Sequence, residues 1–244
     1  MPDNTRSIGL VAALVIAAGV AAGGYGVGRG LERFRTADRS VTVKGLAEKD
    51  VESDYAVWPL GFRRAGNDFG AVQRQLAEDR DRVVAFLKGQ GFGEAEIEVR
   101  PLQVQDLWAR EYGGNNQPLR FQGTGQVLVK STKPSAVEAA ALAVDPLIQA
   151  GVQLAGGDGP GGGGPRYQLR AFNEVKAPLL AEATRNAREQ AQKFAAEAGA
   201  TLGALRGANQ GVIQIGGAAG EGYDDGSARV KRLRVVSTFS YALE

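Results

Sequence analysis

Residues 55–89 read YAVWPLGFRRAGNDFGAVQRQLAEDRDRVVAFLKG, and two periods follow one another within them. Ala56, Trp58, Leu60 and Phe62 recur at every second position, the spacing of a strand with one apolar face. Pro59 brings a residue without a backbone donor into that run, which predicts a sheet edge or a bulge. Asn67-Asp68 then offers a helix N-cap. From Phe69 through Val72, Leu76, Val83 and Leu87 the apolar residues recur at helical spacing, and Arg74, Glu78, Asp81, Arg82 and Lys88 take the opposite side. Gly89, Gly91 and Gly93 end the helix. A one-faced strand feeding a one-striped helix is the unit of a sheet covered by helices on one side.

The same logic extends outward. Upstream, Val41 and Val43 alternate with Thr42 and Lys44 before a polar run over 47–53. Downstream, a strand starts at Ile97 and Val99 and changes phase at Pro101 to Leu102 and Val104. Glu111–Pro118 reads as a hairpin loop, and the return strand runs from Phe121 to Lys130. A second helix begins near Pro134-Ser135 and uses Val137, Ala141, Val144 and Ile148, with Pro146 expected to kink or split it. Val152–Leu154 is a short strand, Gly156–Gly164 a flexible loop, and Tyr167–Phe172 resumes the strand. A third helix is expected over Glu174–Ala198, with Pro178 in its first turn. Its stripe is Leu180, Ala183, Ala187, Ala191, Phe194 and Ala198, mostly small residues that allow close packing on a sheet. Two strands close the chain: Leu205–Ile215, interrupted by Gly207 and Gly211, and one with Leu233, Val235, Phe239, Tyr241 and Leu243 on one face. Gly216–Ala228 is the loop between them. The order β-β-α-β-β, then α-β-α-β-β, predicts an α+β fold: mainly antiparallel sheet with helices packed on one face.

One apolar helix is expected ahead of this body. Ser7–Gly28 is 22 residues without a charge, about 33 Å as a helix, the thickness of a bilayer core. Residues 1–28 read either as a cleaved signal peptide, with small residues near Val20-Ala21-Ala22, or as an uncleaved signal anchor over residues 8–28. The pairs Gly19/Gly23 and Gly24/Gly28 have the spacing that lets membrane helices approach closely. The flanking charges leave orientation open: Arg6 precedes the segment, and Arg29, Arg33, Arg35 and Arg39 follow it. Residues 29–39 are a basic linker, and 40–244 form the globular part.

Charge and composition narrow the chemistry. The chain of 244 residues has 29 basic and 27 acidic side chains, and its +2 balance lies in residues 1–39. The body from 40 to 244 is formally neutral, which argues against nucleic acid as a partner. Arg229, Lys231, Arg232 and Arg234 fit a solvated strand face. There is no cysteine and no histidine, which removes disulfides, thiolate metal sites, cysteine nucleophiles, imidazole bases and His-ligated metals.

The remaining candidates each have a plain alternative. Gly157-Asp158-Gly159-Pro160-Gly161-Gly162 matches G-x-G-x-x-G, but a dinucleotide site needs that loop to open a helix, and here Tyr167 begins another strand. Tyr223-Asp224-Asp225-Gly226 could offer carboxylates to a hard cation but lacks calcium-loop spacing and reads as an exposed turn. Glu94, Glu96 and Glu98 alternate along one strand side as a wet face. Asp79 and Asp81 do not face each other on their helix. Trp58 and Trp108 read as core or subunit contacts before ligand platforms. No catalytic, cofactor or metal residue is assigned, and no cofactor is expected.

Several stretches together resemble the SIMPL-domain family, the domain of unknown function 541 of YggE-like periplasmic proteins. They are Ser40–Ala47 (SVTVKGLA) after an export segment, Gly91–Ile97 (GFGEAEI) after a helix, Tyr167–Asn173 leading into Ala183–Ala191 (ATRNAREQA), and Lys193–Gly199 (KFAAEAG) with Leu202-Gly203. The resemblance covers about 40–243, and the order and spacing of the stretches carry it. It implies an α+β domain in the bacterial envelope, a periplasmic domain tethered to the inner membrane, or secreted if the signal is cleaved. It also implies relatives that build ring-shaped oligomers or are linked to envelope and oxidative stress tolerance, and no catalytic residues. The Gly156–Gly164 insertion departs from the family pattern. The expectation is a non-enzymatic, self-associating homo-oligomer held at the inner membrane by residues 8–28. The alternative is a binding module for a small ligand or envelope polymer, using the loops Trp108–Pro118 and Gly156–Gly164.

Overall fold

A computed structural model describes residues 16–29, 39–109, 118–156, 163–218 and 223–244. The fold is α+β with antiparallel sheets, as the alternation of periods predicts. Helix α1 covers 16–29. Residues 8–15 of the expected apolar segment lie outside the described residues, as do most of the linker and the loop segments 110–117 and 157–162. Among the described residues no helix is long and apolar enough to cross a membrane.

The chain divides into two compact units, one of residues 48–179 with 213–235 and one of 1–47, 180–212 and 236–244. The larger unit holds a six-stranded sheet. Strand β2 (Tyr55–Gly66) pairs with β5 (Phe121–Ser131) from Ala56↔Ser131 to Gly66↔Phe121. Strands β3 (Ile97–Val99) and β4 (Gln103–Asp106) lie on β5, and β6 (Leu154–Ala155) and β7 (Arg166–Gln168) lie on β2. The run expected from Ile97 to Val104 is therefore two strands, broken where Pro101 removes a donor.

Ala56, Trp58, Leu60 and Phe62 all point to the core, as their spacing predicts. They meet Val72, Leu76, Val83 and Leu87 of α2 (Phe69–Gly89), and Val137 and Ala140 of α3 (Pro134–Leu142). The Asp68 carboxylate caps α2 by accepting from the Ala71 N–H at 2.6 Å. Gly123 sets how closely α2 approaches the sheet, since a Cβ there would lie 2.2 Å from Leu76 Cδ1, and Gly125 makes room for the ring of its strand partner Phe62, whose Cε2 would lie 2.3 Å from a Cβ. Pro146 does split the second helix, since α4 (Asp145–Gln149) is separate from α3.

Pro59 does not mark an edge. It sits in the central strand opposite Leu128, in the gap between β7, which pairs residues 55–57, and β6, which pairs 61–62. The missing donor falls where no neighbour strand asks for one.

Helix α5 (Phe172–Glu197) begins two residues before its predicted start, so Pro178 lies inside it and not in its first turn. Phe172 accordingly belongs to the helix and not to the strand. Asp54 explains the early start. Its carboxylate accepts the N–H of Arg170 at 2.7 Å and of Ala171 at 2.6 Å, a cap supplied from far along the chain. The Arg170 guanidinium covers the Tyr55 ring.

In the smaller unit Ala183, Ala187, Ala191 and Ala195 of α5 are buried, against Val43 of β1 (Ser40–Glu52) and Phe239 and Tyr241 of β9 (Val230–Leu243). The stripe keeps a strict spacing of four, so Phe194 and Ala198 fall outside it and Phe194 is exposed. Strand β8 (Leu202–Gly217) is continuous; Gly207 and Gly211 do not interrupt it. Along β9 the residues Lys231, Leu233, Val235, Ser237, Phe239 and Tyr241 are buried in strict alternation. The second sheet has the order β1-β9-β8.

Candidate functional site

Two features stand out. The first is β8, which among the described residues is an outer strand of its sheet. Nearly every residue from Ala204 to Gln210 is exposed on both faces, and further along Val212 is 84% exposed. Over its length the strand carries one charge, Arg206. A long edge strand of low charge presents outward N–H and C=O groups that template another strand. The opposite edge, β1, is different: it carries Lys44, Glu48, Lys49, Asp50 and Glu52, charges that discourage pairing. Gly211 fixes the inner side of β8, because a Cβ there would lie 2.1 Å from the Val236 carbonyl oxygen. At the N-terminal end of the strand, Thr201 and Glu244 exchange both backbone bonds. By the alternation of an antiparallel ladder, the Ala204 N–H then points away from β9.

The second feature is a cavity of about 390 Å³ in the larger unit. Trp58, Leu60, Tyr167, Ala141 and Val144 line it, together with Gly156, Gly163 and Gly164 from the ends of the glycine loop, and Glu138 of α3 is the acidic group among the described lining residues. Glu138 Oε2 accepts from Arg229 Nε at 2.9 Å, and Arg229 Nη1 lies 3.0 Å from Glu52 Oε1. Burial first, and then the Glu138 charge, raises the Tyr167 phenol above its ordinary value of 10.0, against the opposing pull of Arg229.

The cations at the start of β9 are paired. Arg232 forks onto Asp50 at 2.7 and 2.9 Å, and Arg234 lies 3.3 Å from Glu48. Lys231 departs from the expected solvated face. Its side chain is 1% exposed, and its ammonium donates to Asp224 Oδ1 at 2.5 Å. The alternation of β9 turns Lys231 to the same side as Leu233, and Asp224 compensates the charge. That use also accounts for the Tyr223–Gly226 turn: Asp224 accepts from the Gly226 N–H and Asp225 from the Ser227 N–H and hydroxyl. Gly226 takes φ +87°, a conformation side chains disfavour.

The three glutamates do not share a strand face. Glu94–Glu96 is a single 3-10 turn, and only Glu98 lies on β3. Glu94 pairs with Lys88 at 2.7 Å, Glu96 accepts the Gly93 N–H at 2.9 Å, and Glu98 pairs with Lys130 and Arg100. Asp79 and Asp81 diverge, but Asp79 is completely buried. Arg64 Nε and Nη2 donate to its two oxygens at 2.5 and 2.8 Å, and Arg82 adds a contact at 3.2 Å. Sequence reasoning missed this site, although the signal was present: Asp79 falls in phase with Val72, Leu76, Val83 and Leu87.

Trp58 belongs to the core, while Trp108 is exposed beside Arg120, whose guanidinium Asp106 holds through Nε and Nη2 at 3.0 and 2.9 Å. The glycine motif at 157–162 lies outside the described residues, but its flanks are strands: β6 ends at Ala155 and β7 starts at Arg166. No helix follows for a dinucleotide phosphate. Among the described residues no group of three or more acidic, His or Cys side chains could hold a metal.

The family model named SIMPL, described as a protein of unknown function (DUF541), matches residues 41–236. The chain belongs to this family. No curated protein matches it.

Proposed function

We propose that this SIMPL-family chain is a non-enzymatic protein of the bacterial envelope that works by self-association, with β8 as the joining strand. The exposed, nearly uncharged edge of β8 carries the reading. A second copy laid antiparallel on it extends the sheet across a two-fold axis, the commonest symmetry of soluble oligomers. The contrast with the charged edge of β1 favours β8. The absence of His and Cys from the sequence fits a role in assembly over one in catalysis. Residues 8–28 tether the periplasmic domain to the inner membrane, or release it if the segment is cleaved. A part in envelope or oxidative stress tolerance follows the family resemblance.

The chain has no cysteine, so single cysteines report proximity cleanly. In a series of single cysteines placed along β8 from Ala204 to Val212, the position at the two-fold axis is expected to give a disulfide-linked dimer under mild oxidation, with the yield falling towards either end. Leu142→Cys, equally exposed but distant from β8 in sequence, is expected to stay monomeric on the same gel. Equal cross-linking at every position, Leu142→Cys included, or at none, sinks the assignment of the joining strand.

A further inference from the structure

We propose that the cavity beside α3 binds a small amphipathic amine, a molecule with an apolar or aromatic body and one protonated amino group. This goes beyond self-association and does not depend on it. The volume of about 390 Å³ suits one small organic molecule. The lining is apolar over most of its extent: Trp58, Leu60, Ala141, Val144 and Leu154. Leu142 stands at the rim, 81% exposed, a large apolar side chain kept in water beside the opening.

The charge of Glu138 selects the head group. Glu138 and Glu52 share one guanidinium, that of Arg229, so these three side chains carry one more negative than positive charge; Glu138 lines the cavity, and Glu52, largely exposed, lies outside it. Tyr167 registers the same field, and its phenol remains a neutral hydroxyl at physiological pH. An ammonium group near Glu138 neutralises the excess while its apolar body covers the apolar lining. A carboxylate in the same place meets the like charge of Glu138, and a neutral alcohol leaves that charge to Arg229 alone.

Calorimetry on the full chain at neutral pH tests this with three probes of one shape: 2-phenylethylamine, 2-phenylethanol and 3-phenylpropionate. The amine is expected to bind saturably, the alcohol at least about fivefold more weakly, and the carboxylate more weakly still. Glu138→Gln is expected to cost the amine about tenfold and to bring it level with the alcohol. Ala141→Trp fills the cavity and is expected to abolish binding of all three, its circular dichroism and melting temperature confirming that it folds. Absence of saturable binding by the amine overturns the proposal. So does equal affinity for amine and alcohol, or amine binding that both variants leave unchanged. The oligomeric mass, measured on the same samples, reports self-association separately.

Discussion

A Cβ placed on Gly45 of β1 would lie 1.9 Å from the carbonyl oxygen of Ala183 on α5 and 2.8 Å from Ala187 Cβ. The helix rests on the strand backbone itself, and its alanines keep the gap narrow. The nearby cluster of Val43, Phe239 and Tyr241 depends on that approach. Gly45→Ala must push backbone away from backbone, so we expect it to cost about 1–3 kcal/mol, the usual range for overpacking, and Gly45→Val to cost more. Thermal denaturation of the two variants checks the order. A melting temperature equal to that of the parent in both would show that α5 does not seat on Gly45.

Asp79 predicts a second cost. It is fully buried and holds the Arg64 guanidinium through two oxygens. Removing one member of such a pair leaves the other charge without its partner. Asp79→Ala is expected to lose about 3–5 kcal/mol in chemical denaturation. Replacing both residues by apolar ones is expected to recover part of that loss. A loss below about 1 kcal/mol for the single variant would contradict the account.

Acid sensitivity follows from the carboxylates. Hydrogen bonds from Arg120, Lys130 and Lys88 hold Asp106, Glu98 and Glu94 below their ordinary values of 3.8, 4.5 and 4.5. A depressed acid stabilises the fold above its unfolded value and loses that contribution as pH falls through the folded one. Stability should therefore be level from neutral pH down to about 5 and fall below about 4.5. Adding salt should weaken the effect, because these groups face water. A stability curve flat from pH 7 to pH 3 would contradict it.

The proposed tether predicts a topology. A periplasm-active reporter fused after residue 40 should be active, and a cytoplasm-active one silent. Sequencing the N-terminus of the mature protein then separates an anchor, which starts at residue 1 or 2, from a signal cut near Ala22. A cytoplasmic signal would remove the envelope location.

Much of this architecture was legible in the sequence, because period follows burial. Trp58, Val72 and Phe239 all fall on the faces that their spacing assigns. Pro59 misled because a missing donor matters only where a neighbour strand calls for it, and β6 and β7 leave that gap. The start of α5 was hidden because its cap, Asp54, lies more than a hundred residues away in the chain. Lys231 and Asp79 kept the phase of buried positions while their charge suggested solvent; their partners, Asp224 and Arg64, come from other segments. The edge character of β8 was invisible, since which strand lies outermost is decided by pairing and not by period. The cavity at Glu138 was legible only in part: the ends of the Gly156–Gly164 loop, named as a possible ligand loop, line it, but Trp58, Glu138 and Tyr167 come from separate segments that pairing brings together.

The most direct measurement is the solution mass of the full chain beside a blocked-edge variant, Ala204→Pro with Val212→Lys. The proline removes an outward donor, and the lysine adds charge to an exposed position of β8. Both sites are exposed, so the variant should keep the parent's circular dichroism. Light scattering across a concentration series is expected to show oligomers for the parent and a monomer for the variant. A parent that stays monomeric at every concentration, or a variant that assembles as the parent does, would contradict self-association through β8.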